Sequence, residues 1–362
     1  MRAVIHPVDG CTADGLVLGQ IELPSLPENR DSNHILVRIV STAVNRADIM
    51  QRQGRYPPPV GASPILGLEA AGVVVESTRI QAGFQKGDRI MCLLAGGSYA
   101  EYVVVPVGHC LPVPERLDWS SAGSIPEVWL TAFQLLSFVV SPFPKYSEAG
   151  CVTSMLVHAG ASGVGLAAIQ LGRHVFGIRS VFALVGSDEK CAVVGKFGAI
   201  GLNRHSIDDF SQEIRKKNQS RGVDLVLDCV GSGENKIWKQ NADVLETDGR
   251  WIVFGLLGGP RADGNLLGTI LAKRLHIIGT ALRSRSDEYK TDLVAKFREH
   301  ALPLIADGTL VHVVDKVFRL EQAADAHRYV EANKNAGKVC LTVVDNSEFG
   351  LPNSDQRSRA EL

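Results

Sequence analysis

The stretch Met155-Leu156-Val157-His158-Ala159-Gly160-Ala161-Ser162-Gly163-Val164-Gly165 has the residue types and spacing needed to hold a nucleotide. An apolar strand pattern runs into three glycines and then into an apolar helix pattern, Leu166-Ala167-Ala168-Ile169-Gln170-Leu171. In a strand-turn-helix of this kind Gly160 permits the tight turn and Gly163 lets the backbone approach a pyrophosphate. Gly165 lets the helix pack close on the sheet. Free N–H groups at the helix start then hold the phosphate charge. Ser162 stands where the G-x-G-x-x-G pattern has its middle glycine. Any α/β protein uses glycine in turns, so the triplet gains its meaning from the strand before it and the helix after it. In that setting Gly160, Ala161, Ser162, Gly163, Val164 and Gly165 are expected to cradle a dinucleotide.

The next strand discriminates between dinucleotides. An NAD site carries Asp or Glu at that strand's tip, where it bonds the ribose hydroxyls. Here Phe182-Ala183-Leu184-Val185 ends in Gly186-Ser187, with Asp188 already in the following turn. Ser187, Lys190 and Arg204, the last at the end of the third strand, suit a 2′-phosphate, which calls for charge-assisted donors. NADPH is therefore the expected cofactor, although Lys190 alone would also read as a solvated helix lysine.

Two kinds of element must position these groups. In the first third, Ile35–Val40, Ala71–Glu76, Arg89–Leu94 and Tyr99–Val105 read as short strands separated by Gly, Pro, Asn and Asp clusters, with one helix over Asn45–Gln53. This pattern fits an antiparallel, barrel-like domain. A helix over Ser120–Val139 follows. Strand candidates then fall at Met155–His158, Val181–Val185, Ile200–Leu202, Leu225–Asp228, Trp251–Phe254 and Leu275–Ile278, mostly with helical patterns between them. That alternation means βαβ units and a parallel sheet. Ser206-Ile207-Asp208-Asp209 reads as a capping box. Beyond it come a helix over Asp287–Ile305, a strand over Leu310–Phe318, a helix over Leu320–Asn333 and a strand over Val339–Val344. The polar residues after Asp345 lack periodicity and are expected to be disordered.

Composition sets the outer limits. The 362 residues are 45% hydrophobic and 21% charged, enough for a sizeable core and about two domains. Lys and Arg number 38 against 39 Asp and Glu, a formal net charge of −1, which gives no reason to expect a nucleic-acid or acidic-membrane surface. The seven cysteines have no C-x₂-C or C-x₄-C spacing, so neither a zinc lobe nor a disulfide framework is legible. The chain opens on a strand-like Met-Arg-Ala-Val-Ile-His-Pro, with no room for a signal peptide, and no apolar run approaches a membrane span. A cytoplasmic protein is the expectation.

Several longer segments carry a resemblance. Val44-Asn45-Arg46-Ala47-Asp48-Ile49-Met50-Gln51-Arg52-Gln53-Gly54, Ile65-Leu66-Gly67-Leu68-Glu69-Ala70-Ala71-Gly72 and Ile125-Pro126-Glu127-Val128-Trp129-Leu130-Thr131-Ala132-Phe133 are similar to zinc-free quinone oxidoreductases. So are the glycine turn and Asn333-Lys334-Asn335-Ala336-Gly337-Lys338. The chain thus resembles the zeta-crystallin-like branch of the medium-chain dehydrogenase/reductase superfamily, including its tumour-suppressor-inducible type. The likeness runs from residue 1 to about 344, leaving a lengthened loop at Ser141–Cys151 and the tail unexplained.

This resemblance implies an α/β chain with a barrel-like (GroES-like) catalytic domain at 1–125 and 284–345. A doubly wound Rossmann nucleotide-binding domain at 126–283 would be inserted into it, with 346–362 as tail. It places cofactor and substrate between the domains, Asn45 near the nicotinamide, Tyr56 beside the substrate, and Thr131 against the nicotinamide end. Lys190 and Lys338 would face the cofactor's phosphates, with Gly255 and Leu256 completing the cofactor site. Relatives often carry Tyr where Arg204 stands. The last strand of the nucleotide sheet, within Leu275–Leu282, would be an apolar edge, and the resemblance implies a homodimer across it.

Where zinc-dependent relatives have Cys and His ligands, this chain has Asn45, Leu68 and Glu69. One carboxylate cannot hold a metal, so no metal site is expected. Alcohol oxidation needs a Lewis acid for the alkoxide. Reducing a quinone or activated alkene needs chiefly orientation and a few polar donors, because its product anion is delocalised. Tyr56 is the one obvious acidic proton in the resembling segments, though it could equally pack beside Pro57–Pro59. Asn45 could donate to a carbonyl or cap the helix that starts there. His158, on a buried strand, reads as a core histidine. The expected function is NADPH-dependent, metal-free reduction of quinones, by hydride or stepwise electron transfer. Reduction of an enone or enoyl thioester on the same fold is the alternative, and a structural or RNA-binding role the non-enzymatic one.

Overall fold

The runs rich in Val, Ile and Leu in the first third form strands, and His34–Val44 and Arg89–Leu93 are buried along almost their whole length. The computed structural model describes residues 1–344 except 8–9, 30–32, 79–82, 141–151, 232–236 and 263. The Ser141–Cys151 loop and the tail therefore lie outside the described residues. The chain divides into two compact units, Met1–Leu130 with Arg283–Leu362, and Thr131–Leu282.

The first unit begins with β1 (Arg2–Ile5), β2 (Val17–Gln20), β3 (His34–Val44) and α1 (Arg46–Arg52). It continues through β4 (Glu69–Ser77), β5 (Arg89–Leu93), β6 (Tyr102–Pro106) and β7 (Cys110–Pro112) to α2 (Trp119–Ala122) and α3 (Pro126–Gln134), a helix in which the division between the units falls. The second unit holds β8 (Ser154–Val157), α4 (Gly163–His174), β9 (Ser180–Val185), α5 (Asp188–Lys196), β10 (Ile200–Asn203) and α6 (Phe210–Lys217). It ends with β11 (Val223–Asp228), α7 (Ile237–Val244), β12 (Leu245–Val253), α8 (Leu266–Lys273) and β13 (His276–Gly279). The chain then returns to the first unit with α9 (Asp287–His300), α10 (Leu302–Asp307), β14 (Val314–Arg319), α11 (Ala323–Glu331) and β15 (Lys338–Thr342).

In the first unit the order is β14-β15-β3-β4-β5-β7, with β6 on the other half of β3. All pairs are antiparallel except β14 with β15. A core of Ile35, Val37, Ile39, Leu66, Val74, Ile90 and Leu341 fills it. At Gly72 an added Cβ would sit 2.0 Å from the Arg38 carbonyl oxygen, so only glycine lets β4 cross β3 there. The second unit is a six-stranded, all-parallel sheet in the order β10-β9-β8-β11-β12-β13. Counted from its own first strand this is 3-2-1-4-5-6, whose strand order reverses between the first and fourth strands, where doubly wound sheets bind ligands.

Three helical expectations are corrected. The single helix over Ser120–Val139 is α2, α3 and one π-helical turn at Leu135–Val139. Gly123 lies against the Ser41 carbonyl, where a Cβ would come within 2.6 Å, and Pro126, lacking an N–H, can only restart a helix. The Asp287–Ile305 helix breaks at Ala301, just before Pro303, for the same reason. Helix α6 is capped by Asp209, whose carboxylate accepts the Ser211 and Gln212 N–H groups, and not by Ser206.

Candidate functional site

In the second unit the glycine turn lies at the carboxyl end of β8, beside the point where strand order reverses. Its left-handed residue is Ala159 (φ 49°) and not Gly160, which corrects the role expected for that glycine. Gly160 is needed for proximity: a Cβ would lie 2.6 Å from that of Ala183 on β9. At Gly165 a Cβ would meet the Ala159 and Gly160 carbonyl oxygens at 2.5 and 2.6 Å. Ser162 is the N-cap of α4, its Oγ accepting the Gly165 N–H at 3.1 Å. Serine at the middle-glycine position therefore fixes the helix start whose free N–H groups attract anions.

At the tip of β9, Ser187 caps α5 through the Lys190 N–H. The Arg204 guanidinium lies 3.7 Å from where a Gly186 Cβ would be. Asp188, the acid nearest the tip, accepts the Asn203 amide at 2.8 Å. Arg204 is thus brought beside Gly186, at the strand tip where the sequence has no acid. Gly255 and Leu256 follow β12, with Gly255 packed on the Cys229 backbone. Thr131 stands half-buried on α3. His158 is a buried structural residue: its Nε2 bonds Asn241 Oδ1 at 2.7 Å, and Asn241 donates to Asp228 at 3.0 Å.

The first unit gathers a polar cluster whose geometry follows from strand register. Val339 pairs with Val44 and Thr42 with Ala70, which sets Lys338, Asn45 and Glu69 side by side at three strand ends. The Lys338 ammonium donates to Glu69 Oε1 at 2.8 Å, Asn45 Oδ1 at 2.7 Å and the Val44 carbonyl at 3.0 Å. Asn45 Nδ2 donates to Glu69 Oε1 at 2.9 Å, and the Glu127 backbone N–H to Glu69 Oε2 at 2.9 Å. Glu69 is wholly buried and Lys338 nearly so. Asp48, one turn into α1, accepts the Asn45 and Gly67 N–H groups at 2.8 and 2.9 Å. Gly67 (φ 103°) reaches that geometry at no steric cost. Burial pushes the Asp48 carboxyl up to about 6, against the pull of those N–H groups, Lys338 and Arg283.

Two expectations change here. Lys338 has all three donors committed inside the unit, so none is left for a phosphate. Asn45 occupies the N-cap position of α1 but makes no side-chain cap bond; both ends of its amide serve Glu69 and Lys338. Tyr56 is half-buried, with the Arg283 guanidinium carbon 5.3 Å from its ring centre. Burial raises its hydroxyl pKa, Arg283 opposing and Glu127 adding to the shift. His312 accepts the Trp129 indole N–H on Nδ1 at 2.8 Å and faces Ser124 Oγ through Nε2 at 2.8 Å, so its one proton is on Nε2. Burial, with Lys338 adding, pushes it down to about 3.

Sequence reasoning passed over Glu127, Arg283, Asp48 and His312 as functional candidates. Glu127 and Asp48 stood inside the resembling segments, while Arg283 and His312 carried no local signal. Among the described residues no three His, Cys, Asp or Glu side chains converge as a metal site would require, and no helix is long and apolar enough to cross a membrane.

A GroES-like barrel and a doubly wound nucleotide-type sheet in one chain define a medium-chain dehydrogenase/reductase. Residues 31–115 match the family "Alcohol dehydrogenase GroES-like domain" and residues 163–299 the family "Zinc-binding dehydrogenase"; the chain belongs to that superfamily and is an oxidoreductase by class. It is similar to the synaptic vesicle membrane protein VAT-1 homolog of Rattus norvegicus, 29% identical over 333 residues, 88% of this chain and 79% of that protein. Among solved structures it is similar to an NAD-dependent alcohol dehydrogenase (26% identity, TM-score 0.79, covering 95% of this chain and 100% of that one). It is also similar to an Escherichia coli quinone oxidoreductase complexed with NADPH (25% identity, TM-score 0.76, covering 94% and 99%).

Proposed function

We propose that this protein reduces quinones with NADPH and without a metal. The observation that carries the cofactor assignment is Arg204 beside Gly186 at the β9 tip, where an NAD site would hold an acid. The glycine turn fits the same group, since Gly160 and Gly165 let the turn pack tightly on β9 and on its own carbonyls, so that α4 starts directly at the sheet's carboxyl end. The N–H groups opening α4 would hold the pyrophosphate, and Ser187, Lys190 and Arg204 the 2′-phosphate. Bound there, NADPH supplies a hydride. In the first unit Glu69 is the carboxylate a metal would need, yet its oxygens are taken by Lys338, Asn45 and Glu127. The acceptor must therefore be electron-poor already, as quinones and activated alkenes are. The NADPH-bound E. coli structure supports the same reading.

NADPH consumption measured against a panel of quinones, enones and enoyl thioesters, with NADH in parallel, tests this. The expected result is turnover of quinones with a strong NADPH preference. Replacing both Lys190 and Arg204 with Ala should raise the KM for NADPH by about 1.5–3 kcal/mol per lost charged bond and leave the KM for NADH nearly unchanged. Equal effects on both cofactors would exclude the phosphate role.

The reading extends to assembly. Strand β13 is a sheet edge with Ile277 39% exposed, and Leu267 and Leu271 of the preceding helix are each 81% exposed. A second copy covering this surface gives a homodimer. Light scattering at micromolar concentration should report twice the chain mass; a single-chain mass would count against it.

A further inference from the structure

Around Glu127 the first unit places two further carboxyl groups, Glu69 and Asp48, and three cations, Lys338, Arg283 and Lys290. Lys338 is paired with Glu69 at 2.8 Å. Asp48 is held by two backbone N–H groups and has Arg283 as a nearby cation. Lys290, itself buried, has Asp287 as its main charged neighbour. Glu127 is the odd carboxyl, and among the described residues no hydrogen bond reaches its side-chain oxygens. Ionised, it would put an unmatched charge beside Glu69. Burial and the Glu69 carboxylate push it up to about 8, so it keeps its proton at neutral pH.

Two donors beside it lack acceptors. Arg283 is 4% exposed; its Nε donates to the Ala95 carbonyl at 2.8 Å and one Nη to Gln51 Oε1 at 2.6 Å. Its Nη1 is buried without a partner. A buried guanidinium donor left open costs free energy unless a ligand completes it. The Tyr56 hydroxyl, on the ring against this guanidinium, has no hydrogen-bond partner among the described residues either. A buried guanidinium donor with no acceptor, beside a phenol and a carboxyl that bond no other group among the described residues, calls for an oxygen acceptor.

We propose, on the reductase reading above, that Glu127 is the catalytic proton donor and that Tyr56 Oη and Arg283 Nη1 hydrogen-bond the same substrate oxygen. The electron-poor carbon of an enone or quinone would take a hydride, with its two electrons, from bound NADPH, and the displaced π pair would come to rest on the oxygen. The Glu127 O–H bond breaks as the enol or hydroquinone O–H forms. The carboxylate left behind faces Glu69 and takes a proton back from water. Tyr56 and Arg283 hold the oxygen anion while the proton moves.

The test uses the full chain with NADPH, naphthoquinone and cyclohexenone. E127Q keeps the side chain's size and a hydrogen-bond donor but has no acidic proton. It should lose about 10²–10³-fold in kcat toward cyclohexenone, with KM changed less than about threefold. Wild-type kcat should fall as pH rises through about 8, and E127Q should lack that limb. Y56F should lose less than about tenfold, because a hydrogen bond goes and the proton source stays. Infrared difference spectra of the cofactor-free protein give an independent readout: a protonated-carboxyl stretch should vanish between about pH 7 and 9 in the wild type and be missing in E127Q. If E127Q does not fold, that titration and the wild-type alkaline limb decide the question. Unchanged kcat and pH limb in E127Q, or no carboxyl titrating above neutrality, overturns the donor role and leaves the reductase reading standing. A chain that turns over neither acceptor overturns the reductase reading and the donor role with it.

Discussion

Lys338→Met is expected to remove about 3–5 kcal/mol from the stability of the first unit, because it strands the wholly buried Glu69 carboxylate without its cation. Asn45 would lose its donor at the same stroke. Guanidinium unfolding of the full chain, followed by tryptophan fluorescence, measures the loss. The double variant Lys338→Met, Glu69→Gln should recover a large part of it, since replacing both members of a buried pair is far milder than removing one. This outcome separates two roles for the lysine. A lysine facing a cofactor phosphate would leave stability untouched and raise the KM for NADPH; a lysine inside the barrel does the reverse. No effect of Lys338→Met on unfolding would exclude the buried role.

In the second unit the comparable position is Asp228, at the end of β11 and wholly buried. Its Oδ1 accepts the Val230 and Gly231 N–H groups at 2.7 and 3.0 Å, and its Oδ2 accepts Asn241 Nδ2 and Trp251 Nε1, both at 3.0 Å. Asp228→Ala would leave three buried donors unpaired, at about 1–3 kcal/mol each before relaxation, and a fourth, the part-buried Val230 N–H, without its acceptor. Even with partial rescue by water the expected loss is at least about 3 kcal/mol. Asp228→Asn should also be damaging, since its amide N–H would point at donors on one side. The same change breaks the chain from Asp228 through Asn241 to His158. The glycine turn beside it should loosen, weakening cofactor binding along with stability. An Asp228→Ala protein as stable as wild type, by guanidinium midpoint, would show that this network is not what holds the turn.

Much of the fold was legible because its signals are local. Short runs rich in Val, Ile and Leu between Gly, Pro, Asn and Asp clusters gave β3 to β6, and the strand-helix alternation gave the six parallel strands in their right places. The glycine turn was legible for the same reason, since a strand, three glycines and a helix lie within one short window. Helix ends were less legible where one residue interrupts a continuing apolar pattern, as at Gly123, Pro126 and Pro303. Periodicity averages over a window and does not register a single missing N–H.

What the sequence by itself determined was therefore the class of architecture, the nucleotide-type turn and the missing acid at the second strand's tip. Each is a statement about neighbours along the chain. The tertiary structure decided the partners. Lys338 and Asn45 lie 293 residues apart, and only the antiparallel pairing of β15 with β3 turns that lysine into the barrel. Asp48, Glu69, Glu127 and Arg283 come from four separate segments, so neither their shared field nor the proton retained on Glu127 can be read from spacing. Charge burial depends on distances in space, and those exist only once the sheet has closed.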